Sequence, residues 1–406
     1  MKAKESYRWV ICGAATLMVF CAAGIGCSAL SFHLPYIRNI NGFSDTQTSM
    51  LLSIQSFSSI AVSLIVDRFY KRISLRAGIT FSALVLTTAY LLYGIATDYL
   101  TFCVGAALSG ISYALSSTTA AAYLINTWFQ DKRSFAMGIA TSSTGLASVV
   151  APQILAPIIE NISLTAAFLV EMGFILICAL FLFVVVRKGP YSMAGKAPSA
   201  EKPVHDEQST TKNSLLIFTG RRAVLFAVGL FFCGFVVQGN TAALTLILAE
   251  NFSGSVRAHL VSIFGFAVIG GKLLCGRLCD RIGTYRTNYI FYSFMTIGLV
   301  LVCIADSFAL GLLAVIFLGL GSPFATVSLP AYMADFARGE NFPKALKYGQ
   351  LTMTFARMVF TTVAGASADL FGSYVPLFGF MALLTPTVAF LIQNTYYKCG
   401  MTQKRA

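Results

Sequence analysis

Twelve apolar stretches separated by short polar punctuation make up most of this chain. A helix that crosses a bilayer needs about 20 predominantly apolar residues. Windows of that kind fall at 9–32, 46–66, 77–97, 100–124, 136–158, 163–186, 222–249, 256–276, 288–306, 308–334, 349–369 and 373–394. The pattern predicts an all-α membrane protein with twelve transmembrane helices. The first stretch is too long for the apolar core of a signal peptide and lacks a convincing small-residue cleavage site, so it reads as a retained first helix. One connection is long. Residues 187–221 are polar, hold Pro190, Pro198 and Pro203, and have a composition that cannot bury a core. They are read as a cytoplasmic linker between a six-helix bundle at 1–186 and a second at 222–406.

Composition narrows the class. Of the 406 residues, 57% are hydrophobic and 11% charged, with a mean hydropathy of +0.75, a balance that a soluble domain does not need. The net charge of +13 is no sign of nucleic-acid binding, because the basic residues are spread over short segments on one side instead of one face. All but four of the 29 Lys and Arg residues fall in segments that the topology puts in the cytoplasm, as basic loops resist translocation. An even helix count with basic residues at both ends (Lys2, Lys4 and Arg8; Lys398, Lys404 and Arg405) places both termini on the inner side of a cytoplasmic membrane. Arg38 and Arg257 are assigned to short outer loops. Lys272 and Arg357 lie inside apolar helices.

That last pair carries the candidate chemistry. A charge at the centre of a bilayer costs about 3 kcal/mol or more, so it faces a protein interior or a wet cavity and marks function. Two such cations with few acids near them point to a cavity for an anion. Lys272 precedes Asp280 by eight residues and Arg357 follows Lys347 by ten. Both therefore lie on the order of 12–15 Å inside the cytoplasmic boundary. Ser31, Gln55, Gln238, Asn240 and Tyr332 are polar groups that could line the same cavity. Glu171, the acid clearly inside a span, reads as a packing residue, and His33 and His259 as interface residues. The ten cysteines lie mostly in apolar helices, where they act as small hydrophobes. Cys275 and Cys279 share a helix face but have no further ligand nearby, so no metal site, cofactor or disulfide framework is expected. No nucleotide loop or catalytic triad is present, which excludes a recognisable enzyme.

The two halves echo each other. Ser63-x-x-x-Asp67-Arg68-Phe69-Tyr70-Lys71-Arg72 follows the second span, and Gly276-x-x-x-Asp280-Arg281-Ile282-Gly283-x-x-Arg286 follows the eighth. This doubled motif resembles the signature of the major facilitator superfamily. The resemblance implies a cytoplasmic latch at Asp67, Arg68, Asp280 and Arg281, with Arg133 in the next inner loop of the first half. Trp128-Phe129-x-x-x-Arg133-x-x-Ala136-x-Gly138 is similar to the loop of monocarboxylate transporters and bacterial oxalate/formate antiporters. Gly270-Gly271-Lys272-x-x-x-Gly276 is similar to the segment where those carriers hold a substrate-binding Arg; here the cation is Lys, a point charge instead of a bidentate fork. The antiporters also place a cation in the eleventh helix, which corresponds in role to Arg357. Animal monocarboxylate carriers have an Asp and a Lys where this chain has Val268 and, roughly, Ser31.

The resemblance implies a monomeric secondary transporter of small organic anions such as oxalate, formate, lactate or pyruvate, working by alternating access. It would act as an anion exchanger or a proton symporter, with the lipid bilayer as its other partner. The alternative on the same fold is an exporter of drugs or other hydrophobic compounds.

Overall fold

The structure is a computed structural model that describes residues 2–129, 133–187, 221–329, 332–333 and 342–398. The expected linker at 187–221 falls almost wholly outside the described residues. Among the described residues the chain is helical throughout, without strands.

The first span is one long rod in three parts: α1 (Lys2–Val19), a π-wound segment (Phe20–Ala29) and α2 (Leu30–Asn41). Then come α3 (Asp45–Arg72), α4 (Leu75–Ile95), α5 (Tyr99–Ser116), α6 (Thr118–Trp128), α7 (Arg133–Asn161) and α8 (Leu164–Val185). The later part holds α9 (Arg221–Asn251), α10 (Gly254–Cys303), α11 (Phe308–Gly321) with a 3₁₀ turn (Ser322–Ala325), α12 (Phe342–Phe371) and α13 (Val375–Lys398). Among the described residues, ten helices are long and apolar enough to cross a membrane, and Phe308–Phe324 is a shorter apolar one. The eleventh predicted span corresponds to α12, which has the length but falls outside those ten. Lys344, Lys347, Arg357 and Asp369 dilute its apolar character.

Short polar residues set the helix starts, as side-chain oxygens that accept from otherwise unpaired N–H groups. Ser44 caps α3 in a reciprocal capping box with Gln47. Ser74, Asp98, Ser163 and Ser307 cap α4, α5, α8 and α11. Hydrogen bonds from the Thr101 hydroxyl and then its N–H hold the Asp98 carboxyl below the usual carboxylate range. The eighth and ninth spans run together in α10 and are broken only at Gly283 (φ 81°, ψ 157°), a backbone region that glycine alone occupies without strain. This is the second glycine of the repeated Asp-Arg motif.

The structure divides into two compact units. The first is Met1–Gly195 with Ala242–Phe266 and Thr361–Tyr374; the second is Lys196–Thr241, Ala267–Phe360 and Val375–Ala406.

In the first unit, α4 packs against α5 and α8, and α3 against α5. Ser82 and Ser112 bond each other's carbonyls at 3.0 and 2.9 Å across α4 and α5, and Tyr70 donates to the Leu115 carbonyl at 2.7 Å. Gly110 lets α5 meet α3: a Cβ there would overlap the Gln55 carbonyl. In the second unit, small residues serve the same end. A Cβ on Gly271 would lie 3.0 Å from the Leu320 carbonyl oxygen, and one on Gly321 would lie 2.7 Å from the Met295 nitrogen.

Gly110→Ala is expected to destabilise the protein by about 1–3 kcal/mol through overpacking. Gly138→Ala in α7, where a Cβ meets nothing within 4 Å, should be neutral or stabilising by up to about 1 kcal/mol. Thermal unfolding of the two variants in detergent, side by side, checks the contrast.

Candidate functional site

The two intramembrane cations both belong to the second unit. Lys272 is half-buried in α10. Its neighbour Gly271 is the residue that admits the α11 backbone, and Cys275, one turn on, is fully buried against Ser328 at 3.6 Å. Lys272 is thus held in register by a tightly packed adjacent face. Arg357 lies in α12 and is buried, with 9% of its surface exposed. Around it α12 meets α9 closely. A Cβ on Gly234 would lie 2.8 Å from the Met353 Cα, and one on Gly239 would overlap the Phe360 ring. Phe235 packs edge-on to Phe360 at 5.0 Å.

Gln238 and Arg357 lie at the level between these two glycine contacts on facing helices. Gln238 is half-buried. Asn240, two residues on, is fully buried, and both its amide oxygen and its amide nitrogen lack a hydrogen-bond partner. An unpaired buried amide costs about 1–3 kcal/mol, so Asn240 is a candidate donor and acceptor for a bound group.

The other candidates have hydrogen-bond partners within the protein. Gln55 is buried and its amide donates to the Gly26 carbonyl at 2.5 Å and to Ser109 Oγ at 2.9 Å. Ser109 in turn donates to Gly26 at 3.1 Å, and Tyr90 donates to the Ile25 carbonyl at 2.7 Å. These side chains satisfy carbonyls of the π-wound segment. Ser31 donates to the Cys27 carbonyl at 3.0 Å, and its own carbonyl accepts from the Thr245 hydroxyl. Tyr332 is fully buried. It accepts from the Asn288 amide at 2.6 Å and donates to Gln393 at 3.1 Å, while Ser328 donates to Asn288 at 2.6 Å. Of the latch residues, Arg68 and Arg281 are exposed; the side chains of Asp67, Arg133 and Asp280 lie outside the described residues.

Four residues sit differently from their expected places. Arg38 is in α2, not a loop, and pairs with Asp45 at 2.5 Å, because the first span continues to Asn41. Arg257 is in α10, 5% exposed, with its guanidinium 4.6 Å from the Tyr36 ring centre. His33 is fully buried and lies 2.7 Å from Glu171, so neither is the separate packing or interface residue that its own helix suggests.

A cluster closes one end of the first unit. Asp369 accepts from the N–H groups of Asp45 and Thr46, both at 2.9 Å, and so caps α3. Tyr374 donates its hydroxyl to Asp45 at 2.8 Å and its N–H to Glu250 at 2.6 Å. Deeper in, Ser53 and Thr361 share a hydrogen bond at 2.6 Å.

Comparison with known proteins gives these arrangements a context. The family model described as Major Facilitator Superfamily matches residues 16–305 and 226–396. The agnestins efflux protein AgnL12 of Paecilomyces divaricatus is 25% identical over 396 residues, 96% of this chain and 87% of that one. Monocarboxylate transporter 12 of Rattus norvegicus is 23% identical, covering 92% of this chain and 82% of its own. Among solved structures, the nucleoside transporter NupG superposes with a TM-score of 0.72 at 13% identity, covering 96% of this chain and 99% of that one. An inward-facing bacterial homologue of the human lysosomal transporter Spinster gives 0.73 at 14% identity over 97% and 98% of the two chains.

Removing a structural partner and removing a ligand group have different signatures. Gln55→Leu and Tyr332→Phe should each destabilise the substrate-free protein by about 1–3 kcal/mol, since each orphans buried polar atoms. Gln238→Leu should leave thermal stability unchanged. Melting curves in detergent without added solute separate the two groups.

Proposed function

The chain belongs to the Major Facilitator Superfamily, and from that premise we propose that it moves small organic anions across the membrane by alternating access. That it is a multi-pass membrane transporter follows from the family; the substrate class is our reading. The observation that carries it is the presence of two cations, Lys272 and Arg357, within the helices of one compact unit, with the unpartnered amide of Asn240 near the level of Arg357. Two positive charges stabilise a carboxylate, and an amide orients it by donating to one oxygen. Gln238 supplies a second neutral donor. A Lys in place of Arg reads the carboxylate as charge more than as shape, which suits a carrier of oxalate, formate, lactate or pyruvate.

In this reading two six-helix halves, 1–186 and 222–406, rock about the linker, with both termini in the cytoplasm of a cytoplasmic membrane. Asp67, Arg68, Arg133, Asp280 and Arg281 latch the inner side in the outward-open state. The anion moves by exchange or together with protons.

One observation favours a second reading. The relative that exports agnestins covers nearly the whole chain at 25% identity, and an exporter of hydrophobic compounds would not need both cations. The two readings part on neutralisation.

Uptake of labelled mono- and dicarboxylates into proteoliposomes, with and without internal anion, decides between them. Lys272→Gln and Arg357→Gln are each expected to lower uptake about 10- to 100-fold, the effect of removing a charged hydrogen-bond partner. Uptake that requires internal anion identifies exchange, and uptake driven by a pH gradient identifies symport. Carboxylate transport absent from wild type, or retained in both variants, sinks the anion reading in favour of the exporter.

A further inference from the structure

Two ionisable side chains buried together have no part in the reading above. His33 on α2 is fully buried and Glu171 on α8 is 5% exposed. Imidazole Nε2 and carboxyl Oε2 are 2.7 Å apart, and the Phe168 ring covers the imidazole at 4.5 Å. The remaining polar atoms, His33 Nδ1 and Glu171 Oε1, are buried without a hydrogen-bond partner. A structural ion pair in a low-dielectric interior is normally completed by further hydrogen bonds, because one contact does not offset the desolvation of two charges. This dyad is incomplete. With one shared proton it carries no net charge; without it, a carboxylate is left alone in an apolar shell.

Other titratable groups surround the dyad. Tyr90 of α4 is within electrostatic reach of Glu171 and of Cys21 and Cys27 in the π-wound segment, and Tyr93 packs on Phe168 at 5.3 Å. Cys178 lies two turns along α8. On the next turn of α2, Tyr36 donates to Glu160 at 3.3 Å beneath Arg257, and Arg38 is paired with Asp45. Tyrosines and buried thiols are neutral near pH 7 and arginine is permanently charged.

The second observation is mechanical. Within one turn of His33, the same helix is held by residues from the later part of the chain. Thr245 donates to the Ser31 carbonyl, and the Arg257 guanidinium lies 5.7 Å from the Phe32 ring and 4.6 Å from that of Tyr36. The turn that carries the imidazole to α8 therefore also docks residues 245 and 257.

We propose that His33 and Glu171 form a proton-binding site linked to the docking of residues 242–257 on α2. The dyad with its shared proton keeps α2 docked. Release of that proton leaves a buried carboxylate, which favours the undocked arrangement where water reaches it. The inference adds a coupling proton to the transport reading and rests on it only for what that proton drives.

The test uses the substrate-free full chain in nanodiscs, in a His259→Asn background because that imidazole lies on the same helix as Arg257. Amide hydrogen exchange of peptides covering 242–257, corrected for intrinsic rates, is followed from about pH 6 to about pH 9, the range that brackets an ordinary imidazole. Exchange is expected to rise with pH, by at most about tenfold per pH unit for one linked proton. In Glu171→Gln, which has no carboxyl proton to lose, the response should vanish. A flat profile in the parent, or an unchanged response in Glu171→Gln, overturns the proposal. Should that variant fail to fold, infrared difference spectra of the parent with isotope-labelled glutamate and histidine decide the matter. A buried carboxyl or imidazole titrating across the same range supports the site, and its absence refutes it. Neither arm uses an organic anion, so a wrong substrate class leaves both results intact.

Discussion

Inside a bilayer no water is at hand to satisfy a carbonyl, and that deficit organises this protein from its first span outward. Between Phe20 and Ala29 the rod is π-wound, and side chains from three other helices reach in to meet its carbonyls: Tyr90 from α4, Gln55 from α3 and Ser109 from α5. The small residues of the segment make the approach feasible. A Cβ on Gly24 would overlap that of Ala147 in α7, and one on Gly26 would lie 3.3 Å from Leu86 Cδ1. The fan of helices in the first unit is thus tied to one short stretch of irregular backbone. Wide helical windings of this kind recur at functional places, and the stretch stands directly before the helix that carries His33.

Much of the architecture is written in the sequence because lipid enforces it. The twelve apolar windows, the Ser and Asp residues that begin helices, and the glycine that breaks α10 are all local signals. The π winding is not, because Ala, Gly, Cys and Ser in that segment are equally compatible with ordinary α-helix. Gln55 reads as a cavity ligand since a polar residue in a span is a functional signal by default; its carbonyl partner lies 29 residues away and leaves no trace in either helix alone. His33 and Glu171 are 138 residues apart, and each, taken separately, looks like a residue at a span's periphery. Periodicity gives a helix face but not what covers it. Lys272 and Arg357 were legible because a charge among apolar residues needs no partner to be noticed.

The polar contacts of the first unit fall into two kinds. Those around Ile25 and Gly26 are buried, and breaking one leaves an orphaned group at a cost of about 1–3 kcal/mol. At the turn-bearing end, Arg38, Asp45 and Asp369 are partly open to solvent, where an ion pair contributes about 0–1 kcal/mol.

The polar make-up of α12 has a consequence for how the protein is assembled. Arg357 lies near the middle of this helix, with Lys344, Lys347 and Asp369 towards its ends, and these charges leave it outside the ten long apolar helices. A central arginine alone opposes insertion by about 2.5–3.5 kcal/mol. Close packing against a neighbouring helix shields that charge from lipid. That neighbour is α9, whose Gly234 and Gly239 leave room for Met353 and Phe360. An arginine in the middle of a span thus ties that span to its helical neighbour, a constraint that acts during assembly as well as in the finished fold.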